Sequence, residues 1–183
     1  MSIPIKREKI VITLKVLRGS LIVVFVIAVS YLVITNHYVV NITLDSCIDG
    51  DTAWFIIDGE RVKVRFLGID TPESINVKEE YGEDASSYTC SVLKNANNIY
   101  IEYDDNSDRY DKYGRLLGYV FVDGINISEL LVSKGYAEVK YIYGEYKYLD
   151  DLCDSQYKAY ENKLGIWDSY DYTKNYCYIE NNG

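Results

Sequence analysis

Residues 53–73 read AWFIIDGERVKVRFLGIDTPE, and the pattern of this stretch sets the architecture of the domain. Two apolar runs are separated by Asp58-Gly59-Glu60, and a short Asp-Gly connection between such runs is typical of a β-hairpin. In the second run apolar and basic residues alternate: Val62, Val64 and Phe66 lie between Arg61, Lys63 and Arg65. This period of two predicts a strand with one apolar face and Arg65 on the other. Pro72 ends the pattern, because proline disfavours the helical conformation in the residue before it.

Outward from the hairpin, the chain shows further β-type and helical segments. Strands are predicted over 38–48, 98–103 and 115–122, and helices over 83–96, 128–134 and 149–163. Five strands interrupted by helices favour the α+β class and a five-stranded OB-fold β-barrel, closed or partly closed, with about three helices. We expect this domain to occupy residues 38–168 and to be followed by a C-terminal tail, residues 169–183, of unassigned role.

Charge is distributed unevenly along the chain, whose formal net charge is −9. Residues 1–40 contain five basic residues and one acidic residue, whereas residues 41–183 contain 14 basic and 27 acidic residues. A body this acidic has no general basic surface that would hold a polyanion by counterion release. A polyanionic substrate would therefore require a bound cation or a few well-placed arginines.

The start of the chain has the pattern of a membrane anchor. Residues 19–35 contain no charged residue, and the bases near them lie on their N-terminal side. An apolar segment of about 17–25 residues can cross a bilayer as a helix, and flanking bases keep that end in the cytoplasm. We expect a basic cytoplasmic segment (1–18), one transmembrane helix (19–36) and a domain outside the cell membrane. The alternative is a cleaved signal peptide, which would release the domain.

Four cysteines, Cys47, Cys90, Cys153 and Cys177, fit a location outside the cytoplasm. Their number is even and they form no CxxC pair, which argues against a zinc ribbon and allows two disulfides. Three pairings are possible and the sequence does not choose between them. Free buried thiols are the alternative.

Three short clusters contain the residues with candidate chemistry. The first, Ile48 to Thr52, places two carboxylates on a tight turn, and the second runs from Arg65 to Glu73 across the point where the strand ends. The third, residues 111–115, reads DKYGR and places a base on each side of an aromatic residue. Each cluster alone has a structural explanation as a turn, a cap or the end of a hairpin.

Together the three clusters predict a site for a phosphodiester. Asp51 and Asp70, with the carbonyl of Thr71, are the kind of oxygen ligands that Ca²⁺ prefers. The planar guanidinium groups of Arg65 and Arg115 match phosphate oxygens and would stabilise the charge of the transition state. The glutamate that ends the second cluster would activate water as a general base.

These clusters, in this order and at these separations, resemble the thermonuclease (staphylococcal nuclease) family. The resemblance covers roughly residues 40–168 and includes Tyr81 to Ser86 at the first helix and Gly165-Ile166-Trp167 near the end of the domain. It implies a largely sequence-non-specific nuclease that hydrolyses DNA and RNA with Ca²⁺, cutting the P–O5′ bond to leave 3′-phosphate ends. No obligate protein partner is evident from the sequence.

The resemblance also implies a role for individual residues. By motif position, Asp51, Asp70 and the Thr71 carbonyl would bind calcium, and Asp49 would act on the ion through water. Arg65 and Arg115 would bind the phosphate, and Glu73 would be the general base. The residues that would contact the rest of the substrate are Lys112, Tyr113, Tyr141 and Tyr143. Stacking of a base on tyrosine contributes about 1–3 kcal/mol with little sequence preference, which suits a non-specific enzyme. The acidic body departs from the basic members of the family, so we expect a strong dependence on the metal.

A binding module is the alternative from a different functional class. OB folds frequently bind nucleic acid without cutting it. Such a module would have no need of this set of acids and arginines, which favours the enzyme.

Overall fold

The computed structural model describes residues 39–75, 78–169 and 171–178, all within a unit formed by residues 38–183. The segments expected to be cytoplasmic and transmembrane, 1–18 and 19–36, lie outside the described residues. Within the described ranges, every helix is too short or too polar to cross a bilayer.

The hairpin predicted from residues 53–68 is present. Strands β3 (Thr52–Ile57) and β4 (Glu60–Phe66) pair antiparallel, with Ile57 opposite Glu60. Asp58 and Gly59 connect them with φ values of 52° and 85°. Positive φ at both positions of a two-residue turn gives the twist that matches the flanking strands, and glycine adopts it at little cost.

Seven other strands complete the β-structure of the described residues. They are β1 (Val39–Asn41), β2 (Thr43–Cys47), β5 (Ile69–Asp70), β6 (Ile99–Glu102), β7 (Leu116–Val122), β8 (Ile125–Asn126) and β9 (Glu138–Val139). The main sheet has the order β1-β6-β7-β4-β3-β2, with β8 on β7, and β5 pairs with β9 in a second sheet. The pairing of β4 with β7 is parallel.

The α+β class is confirmed, but the count of five strands is wrong. The predicted strand 38–48 is divided at Ile42, and its two parts pair with different neighbours, β6 and β3. Strands β5, β8 and β9 have two residues each, too few for an alternating pattern to show in the sequence. The order of the main sheet has two ends, β1 and β2, so the described residues show no closed barrel.

Three α-helices lie close to their predicted positions: α1 (Gly82–Asn95), α2 (Ile127–Ser133) and α3 (Leu149–Glu161). Two short 3₁₀ helices follow, Gly165–Asp168 and Tyr172–Lys174. Helix α2 begins at Ile127 because the side chain of Asn126 accepts a hydrogen bond from the backbone N–H of Ser128 at 3.0 Å. This is the usual N-cap arrangement.

The main hydrophobic core lies beneath β7, which is nearly all buried because it has β4 on one side and β6 on the other. The fully buried side chains include Phe55, Phe66, Tyr119, Val120 and Leu131, contributed by β3, β4, β7 and α2. This core fixes the ends of β4 and β7, from which the candidate site is built.

Two disulfides join segments that are distant in sequence. Cys47–Cys90 joins the end of β2 to α1, and Cys153–Cys177 joins α3 to the C-terminal tail. One of the three possible pairings is thereby selected. The first bridge braces the turn that carries Asp49 and Asp51, and the second holds the tail on the domain.

Candidate active site

Arg65 lies at the centre of the site, near the C-terminal end of β4. Its guanidinium forms an ion pair with Asp51 at 2.5 Å (Nη1 to Oδ2) and another with Asp70 at 2.8 Å (Nη2 to Oδ1). Only 8% of the Arg65 side chain is exposed. The planar group therefore bridges one carboxylate from the turn before β3 and one from strand β5, as its fork geometry allows.

Asp51 is held by several hydrogen bonds in a buried position. Its Oδ2 accepts from the backbone N–H of Thr71 at 3.0 Å and from the Thr71 hydroxyl at 3.2 Å, and its Oδ1 accepts from the Thr52 hydroxyl at 2.8 Å. Burial raises the pKa of Asp51, against the opposing effect of Arg65. A buried carboxylate with this much support is a fixed element of the site.

The turn between Asp49 and Asp51 is pressed against its neighbours. A Cβ on Gly50 would lie 2.7 Å from the Thr71 hydroxyl oxygen, so this position requires glycine. The buried Thr89 of α1 donates from its hydroxyl to the Gly50 carbonyl at 2.6 Å. Helix α1 therefore holds the turn through a hydrogen bond and, one residue later, through the disulfide of Cys90.

We predict that Thr89→Val destabilises the domain by about 1–3 kcal/mol, because it leaves the buried Gly50 carbonyl without its donor. Thr89→Ser keeps the hydroxyl and is the matched control. Urea denaturation followed by circular dichroism measures the difference. Equal stability of the valine and serine variants would show that the hydrogen bond contributes nothing.

Glu73 lies beside Asp49 on the exposed side of the site. Burial raises the pKa of Glu73, and the negative charges of Asp49 and Asp51 raise it further. The Asp49 carboxylate also accepts from the Ser74 hydroxyl at 2.7 Å, and the Glu73 backbone N–H donates to Glu79 at 2.9 Å. Glu73 is thus an accessible carboxylate positioned by the loop that contains it.

Lys140 is a residue of this site that the sequence analysis did not assign. Its ammonium group contacts Asp70 at 3.0 Å and Glu138 at 2.8 Å, because β5 and β9 pair with Asp70 opposite Glu138. Burial lowers the pKa of Lys140, but these two hydrogen bonds outweigh it and raise the pKa above the ordinary value. Its position next to Tyr141, a residue assigned to the substrate, was the available signal.

A cleft of about 470 Å³ opens beside these groups. Its lining includes Asp70, Thr71, Pro72, Glu73, Glu79, Glu80, Tyr81, Glu138, Lys140, Tyr141, Ile166 and Ser169. The wall therefore combines carboxylates, one ammonium group and aromatic rings, which is a suitable surface for a charged ligand with a planar ring system.

The aromatic residues assigned to the substrate occupy different positions. Tyr141 has a φ of 60°, and its ring centroid lies 5.9 Å from the guanidinium carbon of Arg65. About half of Tyr141 is exposed, so its ring is available beside the site. Tyr143 is 84% exposed and lies outside the described lining of the cleft.

Arg115, Lys112 and Tyr113 form a second group on the loop before β7. Arg115 Nε donates to Asp111 at 2.6 Å, and both bases lie over the Tyr113 ring, at 5.0 Å for Lys112 and 5.4 Å for Arg115. The parallel register, with Arg65 opposite Leu117, brings the start of β7 beside β4. Within the described ranges, no ion pair or hydrogen bond joins Arg115 to Asp51, Asp70 or Glu73.

Asp111 organises this loop and gives a prediction of pH dependence. Burial raises the pKa of Asp111, but hydrogen bonds from the backbone and side chain of Arg115 and from the backbone of Tyr113 outweigh it, so the pKa lies below its usual range. A depressed pKa contributes stability above the unfolded value of about 3.9, and that stability is lost as the pH falls through the folded value.

We therefore predict that Asp111→Asn lowers the free energy of unfolding by about 1–2 kcal/mol at pH 7 and by much less near pH 3. Denaturation of both proteins across this range gives the difference. Asp105→Asn, an exposed change in the same loop region, is the control. A difference that stays constant with pH would contradict the assignment.

The donor set suits a hard cation. Asp49, Asp51, Asp70 and Glu73 supply only oxygen atoms, and their mutual repulsion contributes to the raised pKa of Glu73. In the part of the chain that the structure describes, no three acidic, histidine or cysteine side chains are already grouped to hold a metal. Two carboxylates, Asp51 and Asp70, share Arg65 instead. The excess of negative charge at these oxygen donors is compatible with a hard divalent cation.

Comparison with known proteins agrees with this arrangement. Residues 63–169 match the family described as staphylococcal nuclease homologue. The chain is 43% identical over 140 residues to endonuclease YncB of Bacillus subtilis, and the matched region covers 74% of this chain and 65% of that protein. It is 42% identical over 132 residues to the prophage-derived endonuclease YokF of the same organism, covering 70% and 44%. It is also 35% identical over 123 residues to the thermonuclease of Staphylococcus hyicus, covering 66% and 71%.

The fold and the site define a small α+β domain with an arginine bound between carboxylates at the end of a strand. The chain belongs to the staphylococcal nuclease family. The matched range includes Arg65, Asp70, Glu73 and Arg115 and begins after Asp51. The chain spans less than two thirds of the length of either Bacillus subtilis relative.

Proposed function

We propose that this protein is a calcium-dependent nuclease that hydrolyses phosphodiester bonds of DNA and RNA with little sequence preference. The observation that carries the proposal is the position of Arg65, which lies between Asp51 and Asp70 with Glu73 and an open cleft beside it. The names of three relatives, two endonucleases and a thermonuclease, support it.

Arg65 would bind the phosphate that undergoes attack. A guanidinium has five N–H donors, and the two ion pairs leave donors free for phosphate oxygens. Because only 8% of the side chain is exposed, its charge is little screened by water and acts strongly on the charge that develops in the transition state. Arg115 would contribute from the neighbouring loop, where Asp111 holds its guanidinium.

Glu73 would take the proton of the attacking water. It is exposed and lines the cleft, and its raised pKa brings it closer to the working range of a general base. Tyr141 would stack on a base of the substrate, since its half-exposed ring lies at the wall of the same cleft. Lys112 and Tyr113 would contact the phosphate and sugar from the loop.

Asp51 and Asp70, with the Thr71 carbonyl, would hold Ca²⁺, and Asp49 would act through water. When bound, the ion would supply positive charge that offsets the repulsion between this acidic domain and a phosphate. Asp51 is already fixed for this role by its hydrogen bonds to Thr71 and Thr52.

We also propose that the domain acts outside the cell membrane. Two disulfides join its elements, and disulfides persist mainly in oxidising compartments. Added protease should remove the domain from intact cells if residues 19–36 anchor it, whereas a secreted domain should appear in the medium. Protection of the whole chain until the cells are lysed would refute this location.

Removal of the metal tests the proposed function. The full chain should degrade single-stranded DNA and RNA in the presence of Ca²⁺ and stop when the ion is chelated. Ca²⁺ should also raise the free energy of unfolding, by about 2.7 kcal/mol at one hundred times its dissociation constant, and Asp51→Asn should reduce that increase. Undiminished cutting in chelator would refute the metal assignment. Binding of the oligonucleotide without cutting would instead favour the non-catalytic OB-fold module.

A further inference from the structure

One face of strand β4 carries a row of three bases, of which two, Arg61 and Lys63, do not belong to the site described above. The register places Lys63 opposite Trp54 and Arg61 opposite Ile56. Side chains alternate along a strand, so Arg61, Lys63 and Arg65 lie on the same face of β4, separated by about 6.6–6.8 Å along the strand. The row ends at the arginine of the candidate active site.

Trp54 lies between the first two bases of this row. The guanidinium carbon of Arg61 is 4.0 Å from the Trp54 ring centroid, and the ammonium nitrogen of Lys63 is 5.0 Å from it. Arg61 is held there by Asp45 at 2.8 Å and by the Ser46 hydroxyl at 3.2 Å. The guanidinium is therefore fixed against the aromatic ring while half of its side chain stays exposed.

Lys63 supplies the charge of this surface. No ion pair of Lys63 occurs within residues 39–75, 78–169 and 171–178, whereas Asp45 partly neutralises Arg61. Residues 41–183 contain 27 acidic residues against 14 basic ones, so a row of bases on one strand differs from its surroundings. The ligand that matches this surface is an anion with a planar ring, which can stack on an aromatic or guanidinium group.

We propose that Trp54, Arg61 and Lys63 form a binding surface for single-stranded nucleic acid that extends the active site beyond Arg65. We call this surface the β4 track. Its connection with catalysis rests on the proposed function. A phosphate would pair with Lys63, and an unpaired base would stack on the Trp54–Arg61 pair. Proteins that bind single strands combine basic grooves with such stacking platforms, and duplex bases are not available for stacking.

The fluorescence of Trp54 reports binding to the β4 track directly. The chain has two tryptophans, and the other one, Trp167, is buried. A single-stranded 12-mer added to the full chain with Glu73→Gln, which should slow cutting by at least about 100-fold, should quench tryptophan emission in a saturable way. Trp54→Phe in the same background should remove this quenching. Equal quenching with and without Trp54, or by a duplex of the same sequence, would overturn the proposal.

Two charge variants test the same surface by affinity. Lys63→Gln and Arg61→Gln should each weaken binding of the 12-mer by about 5-fold at moderate salt. Lys63→Gln should also reduce the steepness of the plot of log association constant against log salt concentration by about 0.7. Lys94→Gln, an exposed change on α1, is the control and should leave both quantities unchanged. Affinities and slopes equal to those of the control would overturn the proposal.

Cleavage assays separate the role of the β4 track from the proposed nuclease activity. With an intact Glu73, the track variants should cleave a substrate with one phosphodiester at the normal rate and a long single strand more slowly. Normal cleavage of both would refute the β4 track and leave the nuclease in place. Binding and quenching without any cleavage would refute the nuclease and leave the β4 track as a binding surface.

Discussion

Replacing Arg65 with alanine is expected to lower the rate of phosphodiester cleavage by at least about 100-fold, the usual effect of removing a main donor to transition-state charge. Arg65→Lys is expected to be nearly as inactive. An ammonium group keeps the charge, but it cannot bridge Asp51 and Asp70 and also present further N–H groups to a phosphate.

The ion pairs of Arg65 also predict a loss of stability. From the sequence alone, the alanine variant would be expected to lose activity with little effect on the fold. In the structure, 8% of the Arg65 side chain and 8% of the Asp51 side chain are exposed. Removing one partner of such a buried pair costs about 3–5 kcal/mol, and because Lys140 still contacts Asp70, we expect the lower end of this range. The free energy of unfolding of Arg65→Lys should be closer to that of the wild type.

Denaturation by guanidinium chloride with and without Ca²⁺ measures the loss of stability. Single-turnover cleavage of an oligonucleotide measures the loss of activity. Added Ca²⁺ should restore part of the stability of Arg65→Ala, because the cation replaces positive charge beside Asp51 and Asp70. Arg109→Lys, which changes an exposed arginine stacked on Tyr103, is the control for the substitution chemistry. Full activity of Arg65→Lys would show that this arginine does not contact the reacting phosphate.

The second large effect is expected for Glu73→Gln, which should lower kcat by about 100- to 10,000-fold if this carboxylate takes a proton from water. The fold should be unaffected, since Glu73 is exposed and its side chain is repelled by Asp49 and Asp51. Relief of that repulsion should leave the stability unchanged or slightly higher.

The decisive comparison for Glu73 is with Glu80→Gln, which removes another carboxylate from the same cleft. The control should keep kcat within about 2-fold, because Glu80 has no role in proton transfer here. The KM of Glu73→Gln should change little, since binding is assigned to other residues. A normal kcat for Glu73→Gln would require a different group, or the bound cation, to activate the water.

Local elements of the fold were predictable because neighbouring residues determine them. The alternation in residues 61–66 and the Asp58-Gly59 turn gave the hairpin β3–β4, and helical spacing gave α1, α2 and α3 to within a few residues. The two-residue strands were missed, because their pairing depends on packing and leaves no period in the sequence.

The candidate site was predictable as a set of residues, through its resemblance to a family, but its internal contacts were not. Lys140 contacts Asp70 only because β9 pairs with β5. Asn175 of the C-terminal tail is buried and donates to Glu138 at 3.1 Å, so the tail supports the partner of Lys140. Neither contact could be found from residue type or spacing.

The sequence by itself determined where the longer strands and the helices form, which side of β4 is basic, and which acids and arginines are available for chemistry. These properties follow from side-chain periodicity and backbone preference over a few residues. Only the tertiary structure decided which of three cysteine pairings forms, that Arg65 joins Asp51 to Asp70, and that Lys140 contacts Asp70. Such contacts join residues whose separation in space is set by the packing of the whole core, and no local pattern encodes that distance.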